Sequence, residues 1–275
     1  MATSITDRSV LNNGVEMPWL GLGVWKAKDG DEVTLAVRSA IEAGYRSLDT
    51  AAVYGNEAGV GEGIRQSGID RDQLFITTKV WNADQGYEST LKAFDESMKK
   101  LGIDTLDLYL IHWPVKGKYL ETWRALEKLY RDGYVRAIGV SNFHIHHLED
   151  LRQHSEITPV VDQVEYHPLL TQKELLAYCQ ERNIQMEAWS PLMQGNLDHP
   201  LLAELGQKYG KSPAQIVIRW DLENRVVTIP KSITPERIRQ NADVFDFSLS
   251  AEDVEKISAL NENKRFGADP DNFNF

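Results

Sequence analysis

The feature that most constrains this chain is an alternation that runs its whole length. Eight short β-branched or apolar runs recur, at residues 20–23, 47–49, 74–79, 106–112, 135–140, 160–164, 185–188 and 226–229, with amphipathic stretches between them. Parallel strands need a crossover segment, usually a helix, so this order predicts an α/β fold with a parallel sheet. Eight such units predict a closed (β/α)8 TIM barrel. Ahead of the first run, Ser9-Val10-Leu11 and Val15-Glu16-Met17 flank Asn12-Asn13-Gly14, a hairpin signal placed to close the barrel bottom. Between the fourth and fifth runs, Leu120, Trp123, Leu126, Leu129 and Tyr130 share one helical face. Thr171-Gln172-Lys173-Glu174 and Ser212-Pro213-Ala214-Gln215 read as capping boxes that start helices, and Thr234-Pro235 opens an extra helix near the C-terminus.

The 275 residues fit one barrel, and no Gly/Ser/Pro-rich linker divides them, so a single domain over 1–275 is expected. The net charge of −11 argues against nucleic acid or an anionic membrane as partner, so any anionic ligand needs a local basic pocket. The lone Cys179 forms no internal disulfide. The N-terminal residues lack the pattern of a secretory leader, and no apolar run reaches membrane-spanning length. A cytoplasmic monomer is the expectation. The polar segment 261–275, with Phe266, Phe273 and Phe275 scattered through it, reads as a surface tail.

Barrel active sites form where strands end at their carboxyl side. Asp49 ends the second run, Lys79 the third and His112 the fourth, with Tyr54 in the loop after Asp49. That quartet suits carbonyl reduction. A phenol is a weak acid until a nearby cation stabilises its anion, and Lys79 is placed to be that cation. Asp49 would hold the ammonium, neutral His112 would align the carbonyl oxygen, and Tyr54 would protonate it.

The blocks Asp49-Thr50-Ala51-x-x-Tyr54-Gly55-Asn56-Glu57, Thr77-Thr78-Lys79 and Ile111-His112-Trp113-Pro114 resemble the aldo-keto reductase superfamily. So do Gly139-Val140-Ser141-Asn142-Phe143, Gln163-Val164-Glu165-Tyr166-His167-Pro168, Ala188-Trp189-Ser190-Pro191-Leu192 and Ile229-Pro230-Lys231-Ser232. The resemblance implies an NADPH cofactor, with NADH weaker. It implies that Ser141, Asn142 and Gln163 hold the nicotinamide carboxamide, that Trp189 stacks on the ring, and that Ser190 and Leu192 lie beside it. Lys231, Ser232, Arg237, Gln240 and Asn241 would hold the adenosine 2′-phosphate and adenine. Arg225, Lys231, Arg237 and Arg239 form a basic cluster in an acidic chain, which agrees. Gln240 stands where relatives often carry glutamate, which loosens the preference for NADPH. Within the family the compact form resembles the bacterial glyoxal/methylglyoxal and 2,5-diketo-gluconate reductases.

Trp25, Trp81, Asn82, His112 and Trp113 are expected to line a shallow, open substrate mouth suited to small polar carbonyls such as 2-oxoaldehydes, aldehydes and keto sugars. The glycine pattern at Gly21-Leu22-Gly23 lacks a third glycine, and Gly206 to Ser212 is one residue short of a P-loop. His144, His146 and His147, with Glu149 close behind, stand at the start of a helix where His144 and His147 face together and no fourth ligand is apparent, so no metal is expected, and His167 reads as structural. The rival from another class is a glycoside hydrolase using Asp49 and Glu165, which leaves Tyr54 and Lys79 without a role.

Overall fold

The computed structural model describes residues 2–275. Strands β1 (Arg8–Val10) and β2 (Glu16–Pro18) pair antiparallel. Their turn carries Gly14 at φ 85°, a left-handed value that glycine adopts without a Cβ penalty. Eight parallel strands follow: β3 (Leu22–Gly23), β4 (Ser47–Asp49), β5 (Phe75–Val80), β6 (Leu106–Ile111), β7 (Val135–Ser141), β8 (Val161–Glu165), β9 (Gln185–Trp189) and β10 (Val227–Thr228). They pair in chain order, and bridges from Leu20 to Thr228 and from Gly23 to Lys231 join the last strand to the first. The sheet is therefore a closed barrel, and every strand read from the sequence lies within two residues of an observed one.

Around it lie α1 (Asp31–Glu42), α2 (Glu57–Ser67), α3 (Tyr87–Leu101), α4 (Tyr119–Arg131), α5 (Ile145–His154), α6 (Lys173–Glu181), α7 (Pro200–Tyr209) and α8 (Pro213–Glu223). The extra helices α9 (Pro235–Ala242) and α10 (Ala251–Ser258) follow β10. The apolar face read on α4 is real: Trp123, Leu126 and Leu129 are buried, with Leu120 and Tyr130 packed against the core. The capping box at the start of α8 also forms. Gln215 N–H donates to Ser212 Oγ at 3.3 Å, and Ser212 N–H to Gln215 Oε1 at 2.9 Å.

The box expected at Thr171 does not form. Gln172 is the N-cap of α6, sits at φ 42°, and sends its side-chain amide to the carbonyl of Glu165 instead. A tertiary hydrogen bond outweighs the local capping preference there.

The hairpin plugs the floor. Leu11 and Met17 pack with Phe75, Leu108, Leu110, Ala137 and Val161 inside the barrel, and the Asn12 and Asn13 amides donate to the carbonyls of Pro159 and Arg136. That end is apolar and closed, so polar chemistry is left to the opposite rim. Among the described residues no helix is long and apolar enough to cross a membrane.

Helix α2 fits between its neighbours because of its glycines. A Cβ on Gly61 would lie 2.3 Å from the Leu101 carbonyl oxygen at the end of α3, and one on Gly63 would lie 2.7 Å from Val37 of α1. Gly61→Ala is expected to lower the unfolding free energy by about 1–3 kcal/mol through this overlap with backbone. Urea denaturation followed by tryptophan fluorescence checks it; an unchanged midpoint would mean that α2 and α3 part without cost.

Candidate active site

At the carboxyl rim, Asp49 ends β4, Lys79 lies one residue from the end of β5, and His112 follows β6 directly. Tyr54 closes the 3-10 turn Ala52–Tyr54. The Lys79 ammonium is wholly enclosed, and each of its three protons has an acceptor. It donates to Asp49 Oδ1 at 2.7 Å, to the Thr50 carbonyl at 2.9 Å and to Tyr54 Oη at 3.4 Å. Burial opposes the charge on Lys79, yet Asp49 and Tyr54 raise its pKa above the ordinary value. The lysine is a cation.

Burial pushes the Tyr54 pKa up more than Lys79 pulls it down. The sequence points to Lys79, held by Asp49, as the group that makes the phenol acidic. In the fold, removal of water outweighs that cation, and Tyr54 keeps its proton through the neutral range. His112 is held well below the usual imidazole range, first by burial and then by the Lys79 charge. Its Nδ1 is enclosed with no partner among the described residues, which leaves Nε2 to meet a ligand. The ring sits edge-on to Tyr54, with centroids 5.8 Å apart.

Behind Asp49, Gln163 Nε2 donates to Asp49 Oδ2 at 2.7 Å and to Glu187 Oε2 at 2.9 Å. Both amide protons are spent inward, so the Gln163 carbonyl oxygen is the atom left for a ligand. Asn142, at φ 62°, donates to the His112 carbonyl and to Ser141 Oγ, and accepts from Trp189 Nε1 at 2.8 Å. A left-handed asparagine is tolerable because its short side chain bonds locally, and here it fixes the edge of the Trp189 indole.

These groups line a cavity of about 550 Å³, walled by Trp25, Trp81, Trp113, Ser141 and Trp189 with Tyr54 and His112 on its floor. A second groove of about 750 Å³ shares Trp25, Ser190 and Lys231 with it and runs past Leu192 to Ser232, Arg237, Gln240 and Asn241. Every residue that the resemblance assigns to the cofactor thus borders one of two adjoining spaces. Lys231 and Arg237 are exposed and have no ion-pair partner among the described residues. Thr234 makes no side-chain cap to α9, so the first-turn N–H groups stay open to an anion.

Other expectations need correction. Arg225 lies at the opposite end of the barrel, in a groove with Ala2, Ser9 and Trp19, so it is not part of the basic cluster. Asn82 does not face the cavity; its amide donates to the Phe275 carbonyl at 3.0 Å. The mouth is narrower than expected, because the tail crosses one side of it. Phe275 stacks on Trp81 with centroids 5.9 Å apart, and Phe266, Gly267 and Ala268 form part of the wall. The scattered phenylalanines of the tail were visible in the sequence, but nothing local tied them to the rim.

Glu165 anchors that tail. It accepts from His167 Nε2 at 2.9 Å and from the N–H groups of Phe266 and Gly267 at 2.6 and 3.0 Å. Burial disfavours its charge, but these bonds outweigh it and hold its pKa below the ordinary range. With Glu165 so engaged and Asp49 held by Lys79 and Gln163, neither carboxylate is free for glycoside cleavage. Farther along the tail, Asp269 meets His144 at 3.2 Å and Asp271 meets His146 at 2.7 Å, carboxylates that local reading of the histidines did not anticipate. His147 Nδ1 accepts the His144 N–H, so its neutral ring carries the proton on Nε2, facing Asp271, and offers no lone pair there.

The profile of the Aldo/keto reductase family matches residues 19–262. The chain is 61% identical over 276 residues to glyoxal reductase of Bacillus subtilis, covering 100% of both chains. It is 48% identical over 268 residues to methylglyoxal reductase DkgA of Escherichia coli K12, covering 96% of each. Among solved structures, MGS-M4, an aldo-keto reductase from a deep-sea metagenome library, superposes with a TM-score of 0.94 at 48% identity, covering 98% of this chain and 100% of that one. A point mutant of Gox0644 in complex with NADPH superposes with a TM-score of 0.93 at 43% identity, covering 98% of both.

The buried imidazoles make stability depend on pH. His112 is held well below 6.5, and burial first, then His146, push His147 down to about 4. Below about pH 6.5 the unfolded chain takes up protons that these folded rings refuse, so their contribution to stability is full above that pH and falls as pH drops through it, by up to about 1.4 kcal/mol per pH unit for each ring. Between about pH 7.5 and 5.5 the urea midpoint of wild type should drop relative to that of His112→Asn. An equal change in both proteins would show that the fold does not lower the pKa of His112.

Proposed function

The chain belongs to the aldo/keto reductase family, and on that premise we propose that it reduces small carbonyl compounds with NADPH, Tyr54 handing the proton to the carbonyl oxygen. The observation that carries this reading is the enclosed Lys79 ammonium, bound at once to Asp49 and to the Tyr54 hydroxyl. NADPH, when bound, supplies the hydride for the carbonyl carbon. As negative charge gathers on the substrate oxygen, Tyr54 gives up its proton to a far stronger base than phenolate, and Lys79 stabilises the phenolate left behind. His112 stays neutral and donates from Nε2 to the same oxygen, fixing which atom faces Tyr54. Asp49 is the counter-ion that keeps the ammonium charged and in place.

The two adjoining spaces fit the cofactor. Gln163 offers its carbonyl oxygen and Ser141 and Asn142 stand beside it where the carboxamide would lie, while Trp189 presents an indole face. Ser190 and Leu192 border the passage between the spaces. At the far end, the unpaired Lys231 and Arg237, with Ser232, Gln240, Asn241 and the open start of α9, would take the 2′-phosphate and adenine.

A cavity of about 550 Å³ rimmed by Trp25, Trp81 and Trp113 and crossed by Phe275 suits small substrates with a polar reacting end. Relatives that reduce glyoxal and methylglyoxal agree with 2-oxoaldehydes as the leading class, with simple aldehydes and keto sugars next.

Steady-state turnover with NADPH and with NADH, against methylglyoxal, glyoxal, a diketo sugar acid and an aromatic aldehyde, tests the assignment. The 2-oxoaldehydes should give the highest kcat/KM, with NADPH preferred. Tyr54→Phe should lose roughly 10²- to 10⁴-fold in kcat while binding NADPH about as well as wild type. Failure of all four substrates to oxidise either cofactor, or full turnover by the variant, would refute the reading.

A further inference from the structure

One buried group near the reaction centre has no part in the scheme above. Glu187, in the middle of β9, has no solvent exposure. Its in-register neighbours are Gln163 on β8 and Val227 on β10. One carboxyl oxygen, Oε2, accepts from Gln163 Nε2, while Oε1 is enclosed with no partner among the described residues. The same Gln163 nitrogen donates to Asp49, so the two acids lie only two hydrogen bonds apart.

The charged groups that act on Glu187 are Asp49 of β4 and Lys79 of β5. Of the others that face this cluster, Tyr54 and Gln163 are neutral, and Val227 brings no polar group. Thus one ammonium serves a space holding two carboxyl groups. That ammonium is committed to Asp49 at 2.7 Å. A second full anion there would lack a counter-ion, and one of its oxygens would lack any donor, which is the costly state for a buried carboxylate. A neutral acid leaves the same geometry with far less to compensate.

We propose that Glu187 is a positioning residue of the reduction site that works as an uncharged acid: with Asp49 it holds the Gln163 amide nitrogen inward, and by keeping its proton it leaves the Lys79 charge to Asp49 and Tyr54. Burial and the neighbouring Asp49 raise its pKa to about 8, against the pull of Gln163 and Lys79. Its ionisation places a second negative charge beside the pair, and that charge raises the pKa of Tyr54 further. The Tyr54 proton is then harder to release, and reduction slows as pH rises past neutral. Because Glu187, Asp49, Lys79 and Tyr54 interact, the midpoint of that fall belongs to the cluster. The inference rests on the reductase reading and adds to it a control on proton supply by a residue that touches no reactant.

The test is kcat against pH for NADPH-driven reduction by wild type, Glu187→Gln and Glu187→Asp, with infrared spectra of the three enzymes at neutral pH. Glutamine preserves shape and bonding but does not titrate. Wild type should lose turnover on the alkaline side. Glu187→Gln should match it at slightly acid pH, within about 3-fold, and keep its activity to a pH at least about one unit higher. Glu187→Asp should restore an alkaline fall. A protonated-carboxyl stretching band in wild type should be missing from Glu187→Gln. An unmoved alkaline fall, a loss by Glu187→Gln that is uniform across pH, or an unchanged carboxyl band would each overturn the proposal. Absence of any reductase activity in wild type would instead overturn the reading beneath it, while the infrared comparison would still report on Glu187.

Discussion

The structure turns on one enclosed positive charge. An ammonium taken out of water costs several kcal/mol unless every proton finds an acceptor and a counter-ion lies close by. Lys79 meets both conditions through Asp49, the Thr50 carbonyl and Tyr54. Two of these come from β4 and the chain directly after it, and the register of β4 against β5 sets their distance from the lysine. The same burial that makes the charge expensive makes it effective, because a cation in a dry site acts on a neighbouring phenol far more strongly than one in water. Tyr54, His112 and Gln163 are then arranged around a charge that has already been stabilised.

The barrel divides the labour between its ends. The hairpin fills the floor with Leu11 and Met17, so the barrel below the reactive groups is packed with apolar side chains. The rim is completed by the other end of the chain. Glu165, enclosed at the end of β8 and bonded to His167, holds the backbone of Phe266 and Gly267, and histidines at the start of α5 engage Asp269 and Asp271. From there the tail reaches Asn82 and lays Phe275 on Trp81. Both termini therefore serve the site, one by closing the side away from it and one by narrowing its mouth.

How much of this the sequence discloses follows from the range of the interactions. The strands were legible because each is a short apolar run bounded by changes of pattern, and Asp49, Lys79 and His112 were legible because they stand where those runs stop. Tyr54, five residues on, needed only the loop. What stayed hidden depends on partners more than a hundred residues away: Phe266 on Glu165, Phe275 on Asn82, Asp269 on His144. Gln172 gave up its local capping role for the Glu165 carbonyl, a choice that no window around residue 172 contains. Arg225 looked like part of a basic cluster by proximity in sequence, yet a β-strand separates it from Lys231 and sends the two to opposite ends of the barrel. Glu187 gave no signal at all, since an acid inside a strand shows its burial only when its neighbours are known.

The central claim is that the Lys79 charge, sealed in with Asp49, offsets part of the burial that holds the Tyr54 pKa up, and so makes its proton available. The most direct measurement is the titration of Tyr54 itself, followed by the NMR shift of a carbon-labelled tyrosine ring in wild type and in Lys79→Met. Removing the cation while leaving Asp49 should move the Tyr54 transition to higher pH, with a matching loss of carbonyl reduction. A transition that stays where it was, in a variant that still reduces carbonyls at the wild-type rate, would contradict the account.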